Sequence, residues 1–142
     1  MKIIPALLCL SVLALLTSCT TNPKQPPTVD QLFDRADASG DGRVSRAEYE
    51  DFMIAQLFAQ YDKSGDGFIT EAEFVADGGT PETFRAINTS GTGRISMEEA
   101  KASKVIRQRL ALPFREADVD GSGFITRAEF HAARERSRPY VR

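Results

Sequence analysis

The stretch Asp62–Glu73 reads D-K-S-G-D-G-F-I-T-E-A-E and places oxygen-bearing side chains at its positions 1, 3, 5, 9 and 12: Asp62, Ser64, Asp66, Thr70 and Glu73. Gly67 at position 6 suits a sharp turn that a residue with a Cβ resists, and Phe68 at position 7 offers its backbone carbonyl. Carboxylates and hydroxyls are hard donors that suit Ca²⁺ or Mg²⁺, and no His or Cys in the stretch recruits a softer metal. Its end, Thr70-Glu71-Ala72-Glu73, is also a capping box, the ordinary start of an amphipathic helix. Asp62 and Asp66 weigh against helix capping as the whole explanation. Two carboxylates about 4 Å apart near a surface repel by roughly 1 to 4 kcal/mol, and a fold gains nothing from collecting them unless a cation joins.

Working outward, the same unit recurs three times. Asp37–Glu48 reads D-A-S-G-D-G-R-V-S-R-A-E, Asn88–Glu99 reads N-T-S-G-T-G-R-I-S-M-E-E, and Asp118–Glu129 reads D-V-D-G-S-G-F-I-T-R-A-E. All four copies carry Gly at positions 4 and 6, a β-branched residue at position 8 (Val44, Ile69, Ile95, Ile125), Ser or Thr at position 9 and Glu at position 12. A Phe stands four residues before each: Phe33, Phe58, Phe84 and Phe114.

The repeated unit resembles the calcium loop of EF-hand proteins, with Ser replacing Asp or Asn at position 3 in three copies and at position 5 in the fourth. The resemblance covers residues 28 to about 138 and implies an all-α fold of EF-hand helix-loop-helix repeats, with four loops and shortened or shared helices between them. It implies metal ligands Asp37, Ser39, Asp41, Arg43 (carbonyl) and Glu48 in loop one, and Asp62, Ser64, Asp66, Phe68 (carbonyl) and Glu73 in loop two. In loop four they are Asp118, Asp120, Ser122, Phe124 (carbonyl) and Glu129. Loop three offers Asn88, Ser90, Thr92, Arg94 (carbonyl) and Glu99, with Glu99 its only carboxylate among the ligand positions, so it is expected to bind weakly or not at all and to support a neighbour. In EF-hand proteins the position-8 residue joins paired loops through a short antiparallel contact, for which β-branched side chains suit. Two or three calcium sites are expected, with affinities on the order of 10⁻⁴ M and Mg²⁺ as a competitor. A Glu at position 12 able to coordinate through both oxygens favours the larger ion.

Thr28 and Gln31 form a capping box that opens the first helix. Between Glu48 and Asp62 no Gly or Pro interrupts a segment with apolar Tyr49, Phe52, Met53, Leu57 and Tyr61. One helix should leave loop one and enter loop two, holding the two about 25 Å apart, too far to pair. Gly78-Gly79 followed by Thr80-Pro81 reads as a stop, a turn and a new start, so loops two and three can fold together. Loops one and four are left to each other. Pro113 is expected to break or kink the helix that follows loop three. The last helix ends in Arg134, Arg136, Arg138 and Pro139, which suits either a solvated helix end or contact with anionic headgroups or an acidic partner.

Residues 1–18 have a Lys2 start, an apolar run from Ile3 to Leu16, and then Thr17, Ser18 and Cys19. The run is too short for a comfortable span and fits a cleaved secretory leader. Its end resembles the lipobox of bacterial lipoproteins, which implies cleavage after Ser18, diacylglycerol on the Cys19 sulfur and often further acylation. Cys9 leaves with the leader, so Cys19 has no partner for a disulfide. Residues 19–27, with Pro23, Pro26 and Pro27, read as a tether, residues 28–138 as the domain and 139–142 as a tail. The expected address is the bacterial cell envelope, on the periplasmic side of the outer membrane if the source is Gram-negative.

The formal charge of −2 hides an asymmetry: ten Lys/Arg against five Asp/Glu after residue 100, and the reverse excess between residues 19 and 100. With one histidine and no nucleophile-and-base pair, no enzyme is expected, and the acidic half disfavours nucleic acid. The expected function is calcium binding that buffers the ion or stiffens the domain. The alternative is a calcium-dependent module for an unknown protein partner, although Met53 and Met97 alone, after processing, do not make a Met-rich groove.

Overall fold

Among the described residues, every helix starts where the sequence supplies an oxygen to cap it. The computed structural model describes residues 26–137. The leader, Cys19, most of the tether and the tail lie outside the described residues. Helix α1 (Val29–Ala36) opens on Thr28, whose Oγ1 accepts from the Gln31 N–H at 3.2 Å while the Gln31 Oε1 accepts from the Thr28 N–H at 2.9 Å. The same reciprocal box, with Glu in place of Gln, starts α2 (Arg46–Tyr61), α3 (Glu71–Ala76), α5 (Met97–Ala102) and α7 (Arg127–Arg136). Among the described residues no helix is long and apolar enough to cross a membrane.

Helix α2 runs its 16 residues without interruption, about 24 Å at 1.5 Å per residue, and joins loops one and two as expected. Its deepest side chains are Tyr49, Ile54 and Phe58, with Phe52, Met53, Leu57 and Tyr61 partly buried around them. Ile54 completes the apolar face that the sequence reading built without it. The chain then turns at Gly78-Gly79, and Thr80 caps α4 (Pro81–Ile87), its Oγ1 accepting from the Thr83 N–H at 3.2 Å.

One expectation is corrected. The break after loop three falls at Ser103, not at Pro113. The Ser103 side chain caps a new helix, α6 (Lys104–Ala117), by accepting from the Ile106 N–H, and Pro113 sits inside that helix without ending it. Proline removes the hydrogen bond to the carbonyl four residues back and crowds that carbonyl, which can bend a helix without ending it. A serine in extended conformation between two helices does more, because it ends one ladder and starts the next.

Four short strands fall in the loops and pair in two antiparallel ribbons. Strand β1 (Arg43–Ser45) pairs with β4 (Phe124–Thr126), setting Val44 opposite Ile125, and β2 (Ile69–Thr70) pairs with β3 (Arg94–Ile95), setting Ile69 opposite Ile95. Loops one and four therefore form one pair and loops two and three the other, as the helix and turn lengths predict. All four position-8 residues are buried, as are Phe33, Phe58, Phe84 and Phe114. These side chains belong to a single cluster that both pairs share. Edge-to-face rings knit it together: Phe33 to Phe130 at 5.6 Å and Tyr49 to Phe114 at 5.4 Å. Each such burial contributes roughly 1.5–3 kcal/mol, against about 0–1 kcal/mol for an exposed pair such as Lys101–Asp51. The core, not the surface charges, holds the pairs together.

Candidate metal centres

Eight of the ten glycines occupy positions 4 and 6 of the loops, and all eight have φ between +69° and +85°. An added Cβ would meet open space at each, so glycine is required there for its backbone conformation rather than for room. The turns aim successive N–H groups at the first residue of the loop. In loop one the Asp37 carboxylate accepts from Gly40, Asp41 and Gly42 at 2.9, 3.1 and 2.9 Å. In loop two Asp62 accepts from Gly65 and Gly67 at 2.6 and 2.9 Å. In loop four Asp118 accepts from Ser122 and Gly123 at 2.9 and 3.0 Å.

The Glu at position 12 closes the loop from the other side. One oxygen of Glu73 caps α3, accepting from the Thr70 N–H at 2.9 Å and hydroxyl at 2.7 Å, and the other accepts from the Lys63 and Ser64 N–H groups at 3.1 Å. Glu48, Glu99 and Glu129 bridge their loops in the same way. The N–H of Ser45, then its hydroxyl, hold the Glu48 carboxyl down at about 2, and the N–H and hydroxyl of Thr70 do the same for Glu73, also at about 2. Burial pushes Glu129 up, but the amide and hydroxyl of Thr126 outweigh it and its value falls below the usual range. The Ser122 hydroxyl and amide lower Asp120. These carboxylates are charged at neutral pH, the form that binds a hard cation.

Loop four draws its charges closest. Oxygens of Asp118, Asp120 and Glu129 lie within 4.8 Å of one another, the one such acidic group among the described residues. Oxygens that share a calcium ion at 2.3–2.6 Å are no more than about 5 Å apart, so this donor set fits the ion. Loops one and two hold their Asp at position 5 outside any such cluster. Asp66 accepts from the Phe68 N–H at 2.9 Å, and Asp41 pairs with the Arg43 guanidinium at 3.1 Å. Ser39 and Ser64 donate to their own loop's first aspartate, and Ser122 to the Phe124 carbonyl.

Opposite Glu99, the turn of loop three is held by neutral groups. With its amide nitrogen donating to the Arg94 carbonyl and the Ser90 hydroxyl at 3.2 Å, the Asn88 oxygen accepts from Gly93 at 3.0 Å, the bond that the first aspartate makes to the position-6 glycine elsewhere. Ser90 and Thr92 bond each other at 3.0 Å, and Thr92 donates to the Arg94 carbonyl at 3.1 Å. The loop's turn is thus satisfied by its own hydroxyls and amide.

From the sequence, Arg43, Phe68, Arg94 and Phe124 are expected to contribute only their carbonyls. Their side chains stack across the paired loops, Arg43 over Phe124 at 4.0 Å and Arg94 over Phe68 at 3.9 Å. The signal was present as alternating Arg and Phe at position 7.

Helix-loop-helix units with glycine-turned loops, joined two by two through antiparallel strands, are the architecture of EF-hand repeats, and such repeats imply calcium as the ligand. The EF hand family's model matches residues 29–53, 54–76 and 113–132, which contain the loops at Asp37, Asp62 and Asp118. The loop at Asn88 lies outside those segments. No curated protein matches the chain.

Proposed function

We propose that the chain binds two or three calcium ions, through Asp118, Asp120 and Glu129 and through the corresponding residues of loops one and two, as an envelope lipoprotein anchored by Cys19. In this reading calcium is buffered or stiffens the domain, no reaction is catalysed, and Mg²⁺ competes without displacing it. The observation that carries the metal assignment is the convergence of three carboxylates in loop four. A bound cation supplies the positive charge that such a cluster needs. Asp118 and Asp120 bring the start of the loop, and Glu129 brings the first turn of α7, so occupancy ties that helix to the loop. The core is closed over by both pairs, and the exposed large apolar side chains among the described residues are the scattered Val75, Leu112 and Val119. That favours a stiffened domain over one that opens.

An apolar recess of about 210 Å³ favours the second reading, a calcium-dependent interaction module. Its lining includes Leu57, Phe74, Ile87, Ile106 and Leu110. Calorimetric titration of the chain with calcium, alongside an apolar dye, separates the two. Heat that disappears with Glu48→Gln, Glu73→Gln and Glu129→Gln, without new dye binding, supports the first reading. A large dye response supports the second, and no saturation below ~10 mM, beyond the weakest class of such sites, defeats both. Anchoring through Cys19 predicts that Cys19→Ser moves the chain out of the membrane fraction; retention there would defeat it.

A further inference from the structure

Loop one differs from the other acidic loops in carrying a cation at position 7. The Arg43 Nε donates to Asp41 Oδ2 at 3.1 Å, and the Arg43 backbone N–H donates to Asp41 Oδ1 at 3.1 Å. Both oxygens of the position-5 ligand are thereby engaged by one residue. The guanidinium is itself seated, its carbon 4.0 Å above the Phe124 ring of loop four. In loop two position 7 is Phe68, and Asp66 has no ion-pair partner among the described residues. In loop four position 7 is Phe124 and position 5 is the neutral Ser122. Arg94 of loop three stacks likewise on Phe68, but its position-5 neighbour is the neutral Thr92. The stack therefore recurs, whereas the pairing of the stacked arginine with a ligand carboxylate is particular to loop one.

Resting on the calcium reading above, we propose that Arg43 is a built-in counter-ion that an incoming cation must displace from Asp41, so that loop one fills after loops two and four. A guanidinium fixed over an aromatic face keeps less freedom to swing away than a solvated one. For Asp41 to serve, its carboxylate must leave this partner, and Arg43 then stands as a like charge beside the ion. The pair is half-exposed on both sides, so the competition is modest. It corresponds to about a two- to five-fold weakening, the range of exposed ion pairs.

The test follows the amide resonances of Gly42, Gly67 and Gly123 during calcium titration of the full chain, one reporter for each acidic loop. Arg43 is exposed, so its replacement leaves the core intact. The Gly42 resonance is expected to saturate last in the unmodified protein. Arg43→Gln should lower its midpoint about two- to five-fold, and Arg43→Lys, which keeps the charge, should leave it closer to the original. A Gly42 midpoint that is lowest of the three, that Arg43→Gln leaves unchanged, or that Gln and Lys shift equally overturns the proposal while calcium binding stands. Silence at all three glycines overturns the calcium reading and this inference together.

Discussion

Glu48 and Glu73 each cap a helix with one oxygen and close a loop with the other, and that double use governs their protonation. Backbone and hydroxyl donors of Ser45 lead in lowering Glu48 to about 2, as those of Thr70 do for Glu73. A carboxylate whose folded value lies below its unfolded value near 4.5 adds stability that is present above 4.5 and lost as pH falls through about 2. Both side chains are reached by solvent, which screens the contribution. The expected outcome, read from side-chain carboxyl shifts in calcium-free buffer, is that both remain ionised at about pH 3.5, between the two values. A midpoint near the ordinary glutamate value would show that the capping and loop bonds do not persist in solution.

Among the elements, the Gly78-Gly79 turn shows two glycines kept for different reasons. Gly78 has φ +90° and open space around it, whereas a Cβ on Gly79 would overlap the Phe74 ring. Phe74 packs on Tyr61 at 5.1 Å and on Phe84 at 6.0 Å, so Gly79→Ala must push apart the side chains that join α2, α3 and α4. A loss of about 1–3 kcal/mol is expected, in the range of other overpacked cores. Denaturant melts measure it, and an unchanged midpoint would refute the close packing of this turn. The turn itself was legible from Gly-Gly-Thr-Pro, but its reason was not, because periodicity does not say which ring lies beneath a glycine. The same limit explains Ser103. A serine beside Ala102 and Lys104 carries no strong stop signal, and its role shows only in the bond its hydroxyl accepts from the Ile106 N–H as α6 begins.

At the scale of the molecule, the nested pairing follows from chain lengths. Alternating Arg and Phe at position 7 would satisfy the cross-loop stack if loop one paired with either loop two or loop four. The unbroken α2 removes the first choice by its length. Loop three, although poor in carboxylates, then sets loop two through Ile69 opposite Ile95. Ile95→Val is expected to cost about 1 kcal/mol, as one buried methyl group does. It should weaken calcium binding at loop two more than at loop four, as read from the Gly67 and Gly123 resonances. Equal effects, or none at loop two, would mean that loop three does not support its neighbour.

The sequence alone determined the repeats, the turn glycines, the capping box of the first helix and the partner of each loop, because these depend on residues close in the chain and on helix length. Glycine turns, capping boxes and β-branched positions are local devices, and each can be read where it stands. Tertiary structure alone decided which loop gathers its carboxylates, which aspartate meets an arginine, and where the helix after loop three breaks. The spacing of the residues does not say how a loop's own side chains turn, and a contact from a distant hand adds to this: Arg43 pairs with Asp41 two residues away while it is seated over Phe124 of loop four. Identical spacing thus yields loops whose side chains are differently engaged, because what a residue stacks on across the strand pair is set by the fold.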